Sequence, residues 1–155
     1  MCQSPLRPGP DDAVGLEKIP IVFYKEYFRP RDVDLYTMNT ERTGAKPALT
    51  QITDYPGKEY SPDWSPDGDR IVFYQDTRTK GLRIFTIRPD GTDRQLVVQD
   101  GKDPVWSPDG RKIAFTRDGN VYTVNADGTG KLRVPGTPQE NGSSEVLPNW
   151  GPKSP

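Results

Sequence analysis

A twelve-residue segment that occurs twice constrains the fold of this chain more than any other feature of its sequence. Residues 62–73, PDWSPDGDRIVF, return 42 positions later as residues 104–115, PVWSPDGRKIAF. The segments that follow, at 82–98 and 120–134, also align, and both contain an Asp-Gly-Thr turn. A fixed period of this length indicates a repeated structural unit, because one such unit cannot bury its apolar face without a neighbour.

Weaker copies of the same unit flank these two. Upstream, IPIVFY (19–24) and DLYTMNTERTG (34–44) follow the same order of segments. Downstream, residues 146–155 place Trp150 44 positions after Trp106 but lack the Asp-Gly pair of the earlier copies. The sequence therefore predicts about three units and the start of a fourth.

Each unit has the pattern of several short strands joined by tight turns. In IVFYQDT (71–77), alternate side chains can face opposite sides of a sheet, and IFTI and VYTV are rich in β-branched and aromatic residues. The turns SPDG, RPDG and NADG contain Asp to accept hydrogen bonds and Gly to take a positive φ. Since no stretch has a sustained helical period and the chain has 17 Pro, we expect little helix.

Four strands in about 40–45 residues are the blade pattern of a β-propeller. We therefore predict an all-β fold, a partial β-propeller of about three four-stranded antiparallel blades. The predicted parts are a flexible Pro-rich tail (1–15), a degenerate blade 1 with a loop insert at 24–34 (16–57), blade 2 (58–100), blade 3 (101–145) and a C-terminal strand (146–155).

The pattern P-x-W-S-P-D-G-x-x-I-A-F, followed by a D-G-T-G turn, resembles the WD40-like repeat of the TolB propeller family. Two copies, within residues 62–134, match closely. The resemblance implies a six-bladed ring. It also implies one of several roles: a periplasmic protein that binds partner proteins, part of an outer-membrane lipoprotein, or a substrate-filtering domain in front of a serine peptidase.

Three blades are fewer than the roughly four to eight of a typical closed ring. Two copies could pair into six blades as a homodimer, which is the interpretation we favour. Alternatively, the chain is part of a longer propeller, or its two ends fold back and cap the arc. The strand in residues 146–155 would then begin a further blade or complete a neighbouring one.

The sequence favours a non-catalytic module that mediates protein or peptide binding in the cell envelope. The alternative is a substrate-gating or ligand-binding part of a larger hydrolase or peptidase system whose catalytic domain is elsewhere. A serine peptidase of that type needs G-x-S-x-G and a His, whereas residues 141–145 read NGSSE and the chain has no His. We expect no enzyme activity, no cofactor and no bound metal.

A binding face is predicted from the polar residues that precede two of the repeated tryptophans. These residues vary between blades on a constant scaffold, as ligand contacts in propellers do, although solvated strand ends would show the same pattern. The candidates are Glu59, Tyr60, Asp63, Lys102 and Asp103.

The insert at 24–34 contains residue types that are frequent in interface hot spots. It is either a loop that contacts a partner protein or a longer loop that packs on its own blade. The candidate contact residues are Tyr27, Phe28, Arg29 and Arg31.

The repeated residues themselves have structural interpretations. Trp64, Trp106 and Trp150 keep a strict register, which favours packing between blades over an aromatic platform. Gly68 and Gly110 close the turns after the first two tryptophans. The turn aspartates could suggest a calcium site, but they belong to separate turns and are explained by turn formation; they are Asp67, Asp90, Asp109 and Asp127.

Charge and the N-terminus limit the partners and the location. A net charge of −1 gives no electrostatic reason to expect nucleic acid. Cys2, followed by small, polar and Pro-rich residues, is typical of the lipidated end of a mature bacterial lipoprotein, or else is a cysteine in a tail. We expect a periplasmic or otherwise extracytoplasmic protein, attached to a membrane only through such an anchor; the sequence leaves a cytoplasmic location open.

Overall fold

The computed structural model describes residues 20–26, 33–38, 49–77, 79–136 and 147–151. Within these ranges the chain forms strands and no helix, so the predicted all-β class is confirmed. The strands are β1 (Ile21–Glu26), β2 (Val33–Met38), β3 (Leu49–Gln51), β4 (Lys58–Trp64), β5 (Ile71–Thr77), β6 (Gly81–Ile87), β7 (Gln95–Gln99), β8 (Lys102–Trp106), β9 (Lys112–Arg117), β10 (Asn120–Asn125) and β11 (Leu132–Arg133). No helix of the described segments is long and apolar enough to cross a membrane.

The strands form three blades that stack in chain order. Strands β4 to β7 make an antiparallel meander, blade 2, and β8 to β11 make a second one, blade 3. In blade 1, β2 pairs antiparallel with β1 and with β3, and a single parallel pair, Val33 with Lys58, joins it to blade 2. The predicted partial propeller is confirmed, with three strands of blade 1 among the described residues.

Blade 2 supplies one apolar face to each of its neighbours. Ile71 and Phe73 of β5 pack with Leu35 of blade 1, whereas Val72, between them, packs with Phe115 of blade 3. This alternation is the two-residue period of a strand, and it explains why a single blade cannot bury its core alone. Phe73 and Phe115 are both completely buried, and each contributes on the order of 1.5–3 kcal/mol by leaving water.

The WSPDG turns have the geometry that their sequence predicts. The carbonyl of Ser65 accepts a hydrogen bond from the Gly68 amide at 2.9 Å, and Asp67 Oδ1 accepts one from the Ser65 hydroxyl at 2.6 Å. Gly68 has φ of 75° and Gly110, in the second copy, has φ of 69°, a region that favours glycine. The hydrogen bond from the Ser65 hydroxyl and that from the Asp69 amide hold the pKa of Asp67 below its usual value.

The predicted insert at 24–34 is shorter in the structure. Strand β1 extends to Glu26 and β2 begins at Val33, since the antiparallel ladder continues through the pair Tyr24–Leu35. The connection is therefore residues 27–32. The candidate contact residues Tyr27, Phe28, Arg29 and Arg31 lie outside the described residues, as does Cys2.

Candidate ligand-binding groove

Strands β4 and β8 contain the same irregularity at the same place in the repeat. The register of β4 against β5 shifts between Tyr60 and Asp63, and that of β8 against β9 shifts between Lys102 and Val105. Within the shifts, Ser61 has φ of 48° and Asp103 has φ of 51°. A bulge of this kind redirects side chains, and left-handed φ values at residues other than glycine often mark functional positions.

A groove of about 670 Å³ lies along these bulges. It is built from equivalent positions of three successive repeats: the third residue before the tryptophan (Ser61, Asp103, Leu147), the second (Pro62, Pro104, Pro148) and the first (Asp63, Val105, Asn149). Trp106, Pro108 and Trp150 complete its walls. These twelve residues form the groove.

Hydrogen bonds between the repeats hold the groove in shape. Asp63 Oδ2 accepts a bond of 2.7 Å from the amide of Trp106, which ties blade 2 to blade 3. The Ser61 hydroxyl donates to Asp103 Oδ1 at 3.0 Å, so the two bulges are also in direct contact. On the other wall, the Trp150 indole Nε1 donates to the Val105 carbonyl at 3.2 Å.

The groove combines apolar rings with carboxylates. Four prolines give it rigid apolar patches, and Leu147 is 66% exposed. Burial raises the pKa of Asp63, against the effect of the amide bonds from Trp106 and Trp64. Such a surface can pack apolar side chains of a ligand and accept hydrogen bonds from its N–H groups.

Two of the five predicted binding-face residues, Asp63 and Asp103, line the groove. Asp103 is 7% exposed and also accepts a bond of 3.3 Å from the Thr116 hydroxyl, so much of its hydrogen-bonding capacity is used internally. Lys102 lies outside the groove, and its Nζ is 3.5 Å from Asp103 Oδ2.

The prediction that Glu59 lies on an accessible face is wrong. Its side chain is completely buried, because β4 turns it into the contact between blade 1 and blade 2. Tyr60 is half-buried, with its ring centroid 5.2 Å from that of Tyr24 and 5.5 Å from that of Tyr74.

The sequence interpretation missed Leu147, Pro148 and Asn149 as lining residues. The signal was present in the alignment of Trp150 with Trp64 and Trp106, because equivalent positions of stacked units come close together. The bulges were not foreseen, since they depend on the pairing of strands.

The three tryptophans differ in their surroundings. Trp64 packs on the core between blades 1 and 2, and Trp106 is part of the core between blades 2 and 3. Trp150 is half-buried and lines the groove.

The turn aspartates do not come together. Each accepts hydrogen bonds within its own turn; in the Asp90 turn and the Asp127 turn, the donor hydroxyls are those of Thr92 and Thr129, both at 2.6 Å. In the part of the chain that the structure describes, no three His, Cys, Asp or Glu residues are grouped so that they could hold a metal ion.

The repeated blades, their stacking order and the position of the groove define the class of protein as a β-propeller module. Solved structures with a similar fold include two TolB proteins. A protein described as TolB from Agrobacterium tumefaciens is 26% identical, with a TM-score of 0.56 over 65% of this chain and 40% of that one. TolB from Acinetobacter baumannii is 20% identical, with a TM-score of 0.59 over 74% of this chain and 30% of that one.

Together with the repeat, these similarities show that the chain resembles TolB propellers in its fold. The chain spans less than half of the length of either structure. No protein-family model and no curated protein matches the chain significantly.

Proposed function

We propose that this module binds a protein or peptide in the cell envelope, without catalysis, and that the groove is its binding surface. The observation that carries the proposal is the convergence of equivalent positions from three successive repeats. All three repeats have proline and tryptophan at the same two positions of this segment. The residue before the proline is different in each repeat: Ser61, Asp103 and Leu147. A constant scaffold with variable side chains at one place is how propellers present a specific surface.

An extended peptide segment fits the chemistry of the groove. A bulge leaves backbone groups of its extra residue outside the strand ladder, so the groups near Ser61 and Asp103 can bond a ligand. The exposed side chain of Leu147 and the ring of Pro148 offer contact to apolar side chains of the ligand. The Asp63 carboxylate favours N–H donors or a cationic residue nearby.

Placement in the periplasm, or elsewhere outside the cytoplasm, is part of the same proposal. It is supported by the similarity to TolB structures and by the sequence around Cys2, which is typical of a lipidated N-terminus. Mass spectrometry of the protein expressed in its native host tests the anchor, because acylation adds the mass of the lipid to the polypeptide.

The binding surface can be tested with a peptide selected on the immobilised chain from a random phage-displayed library. Isothermal titration calorimetry then compares the peptide's affinity for the wild-type chain and for Leu147→Asp. Leu132→Asp is the matched control, since Leu132 is 64% exposed on β11 and Leu147 is 66% exposed in the groove. Both changes replace an exposed leucine by a carboxylate, so neither should destabilise the fold much.

We expect Leu147→Asp to weaken binding about tenfold or more, because the new charge would lie against an apolar contact, and Leu132→Asp to leave it unchanged. A peptide that binds the wild-type chain, Leu147→Asp and Leu132→Asp with equal affinity would place the binding surface outside the groove. Failure to select any peptide that binds the wild-type chain would contradict the proposed function itself.

A further inference from the structure

A second cleft, of about 590 Å³, lies on the side of blade 2 that faces blade 1. Strand register puts its lining residues on that side: Phe73 is paired with Phe85, Gln75 with Arg83, and Phe85 with Leu96. Leu35 and Ile52 of blade 1 pack on the Ile71 and Phe73 end of this surface. The opposite end, with Gln75 and Arg83, lines the cleft together with Tyr55, Pro56, Thr77, Thr79, Lys80, Phe85, Arg94 and Leu96.

Aromatic rings hold Arg94 at the wall of this cleft. Its guanidinium carbon is 3.7 Å from the ring centroid of Phe85 and 4.2 Å from that of Tyr55. Its Nη2 donates to Gln75 Oε1 at 2.7 Å, while its Nε is buried without an acceptor. The planar group is therefore fixed in orientation before any ligand arrives, which reduces the entropy lost on binding.

Arg83 adds a second guanidinium with an unused donor. Its Nε is also buried without an acceptor. In the described part of the chain, no carboxylate lies within ion-pair distance of Arg83 or Lys80, and none lines the cleft. A buried charged donor without a partner costs free energy, and an anion in the cleft would remove that cost.

Glu59, whose charge interacts with that of Arg94, does not neutralise the cleft. Glu59 is completely buried, and its two carboxyl oxygens accept hydrogen bonds from Gln75 and Thr53. Burial raises the pKa of Glu59 to about 7, so this group carries less than a full negative charge at neutral pH.

We propose that this cleft is an anion-binding site, which takes a carboxylate or phosphate group from a molecule whose apolar part packs against Tyr55 and Leu96. Guanidinium groups bind both anions through paired N–H donors, and Lys80 adds a point charge at the rim. The site is separate from the groove, so it stands whether or not the groove binds a peptide.

Nuclear magnetic resonance titrations of the ¹⁵N-labelled chain test the site with sodium phosphate, sodium acetate and sodium benzoate, at constant ionic strength set with sodium chloride. We expect saturable chemical-shift changes at the Nε–H groups of Arg83 and Arg94 with phosphate or with the carboxylates. Comparing the three titrations shows which anion is preferred. Benzoate should bind more tightly than acetate if the apolar wall contributes.

Arg83→Gln should weaken this binding about tenfold or more, because it removes a charge-assisted contact. Its fold should persist, since no partner of the Arg83 side chain is lost. Arg111→Gln, an equal change of charge at an exposed turn of blade 3, should have no effect. Lys80→Gln provides a second variant at the exposed rim and should weaken binding by about threefold.

Three results would overturn the proposal. The first is the absence of saturable shifts with phosphate and with both carboxylates. The second is an anion affinity that neither Arg83→Gln nor Lys80→Gln changes. The third is a loss of anion affinity in Arg111→Gln as large as that in Arg83→Gln. It would mean that the anions respond to the overall charge of the chain and not to this cleft.

Discussion

Glu59 shows how a residue that is polar in sequence can belong to the interior of the repeat stack. Its Oε1 accepts a bond of 2.6 Å from the Gln75 amide, and its Oε2 accepts one of 3.2 Å from the Thr53 hydroxyl. Burial raises its pKa from 4.5 to about 7, with the charge of Asp34 acting in the same direction and that of Arg94 against it. The folded chain therefore binds the proton of this carboxyl more tightly than the unfolded chain does.

This preference predicts a loss of stability as pH rises. Below pH 4.5 the group is protonated in both states, and between 4.5 and about 7 the folded chain binds the proton more tightly. The contribution of Glu59 to the free energy of unfolding should therefore fall across that window by up to about 3 kcal/mol and stay constant above it.

Urea denaturation between pH 4 and 8 checks this, with Glu59→Gln as the comparison because glutamine cannot ionise. The variant should gain stability relative to the wild-type chain as pH rises through the window. Parallel pH profiles for the two chains would contradict a raised pKa at Glu59.

For individual residues, the sequence predicted contacts between near neighbours in the chain better than contacts between distant residues. Asp67 and Gly68 were assigned correctly to a turn, because their partners lie within three residues. The cleft residues Arg83 and Arg94 were not recognised, since they meet only through the register of blade 2 and the rings around them.

At the scale of elements, the contact between blades 2 and 3 leaves no room where the chain passes from β7 to β8. Gly101 is buried there, and a Cβ added to it would lie 2.7 Å from Phe115 Cδ2 and 2.9 Å from Ile84 Cδ1. Both of these side chains are completely buried, so neither can move aside easily.

Gly101→Ala should therefore lower the free energy of unfolding by about 1–3 kcal/mol through overpacking. Gly151→Ala is a suitable control, because no atom lies within 4 Å of its added Cβ, and we expect a change of less than about 0.5 kcal/mol. Chemical denaturation measures both. An unchanged stability of Gly101→Ala would contradict close packing of Gly101 against Phe115 and Ile84.

The strands were predictable from alternation and turns, but the irregularities in them were not. The period-two pattern of IVFYQDT gave the correct faces, with Phe73 toward blade 1 and Val72 toward blade 3. The bulges at Ser61 and Asp103 depend on how β4 and β8 pair with the next strand, and a serine or aspartate does not by itself signal a left-handed φ.

At the scale of the whole molecule, we propose that two chains pair to form a six-bladed ring. Blade 1 supports this proposal, since Ile21 of β1 is 47% exposed and could be covered by a second copy. Sedimentation equilibrium should then give twice the 17.4 kDa of one chain. A mass that stays at 17.4 kDa across the accessible concentrations would contradict the pairing and would leave the groove proposal unaffected.

The proposed function requires that three successive repeats form one binding surface where their proline and tryptophan segments converge. The most direct measurement is the map of amide and indole chemical shifts of the ¹⁵N-labelled chain with the selected peptide bound. We expect the changes to concentrate in the groove residues near Asp63, Asp103 and Leu147, and at the indole N–H of Trp150. Changes concentrated elsewhere, such as around Arg83 and Arg94 or on β11, would contradict binding in the groove.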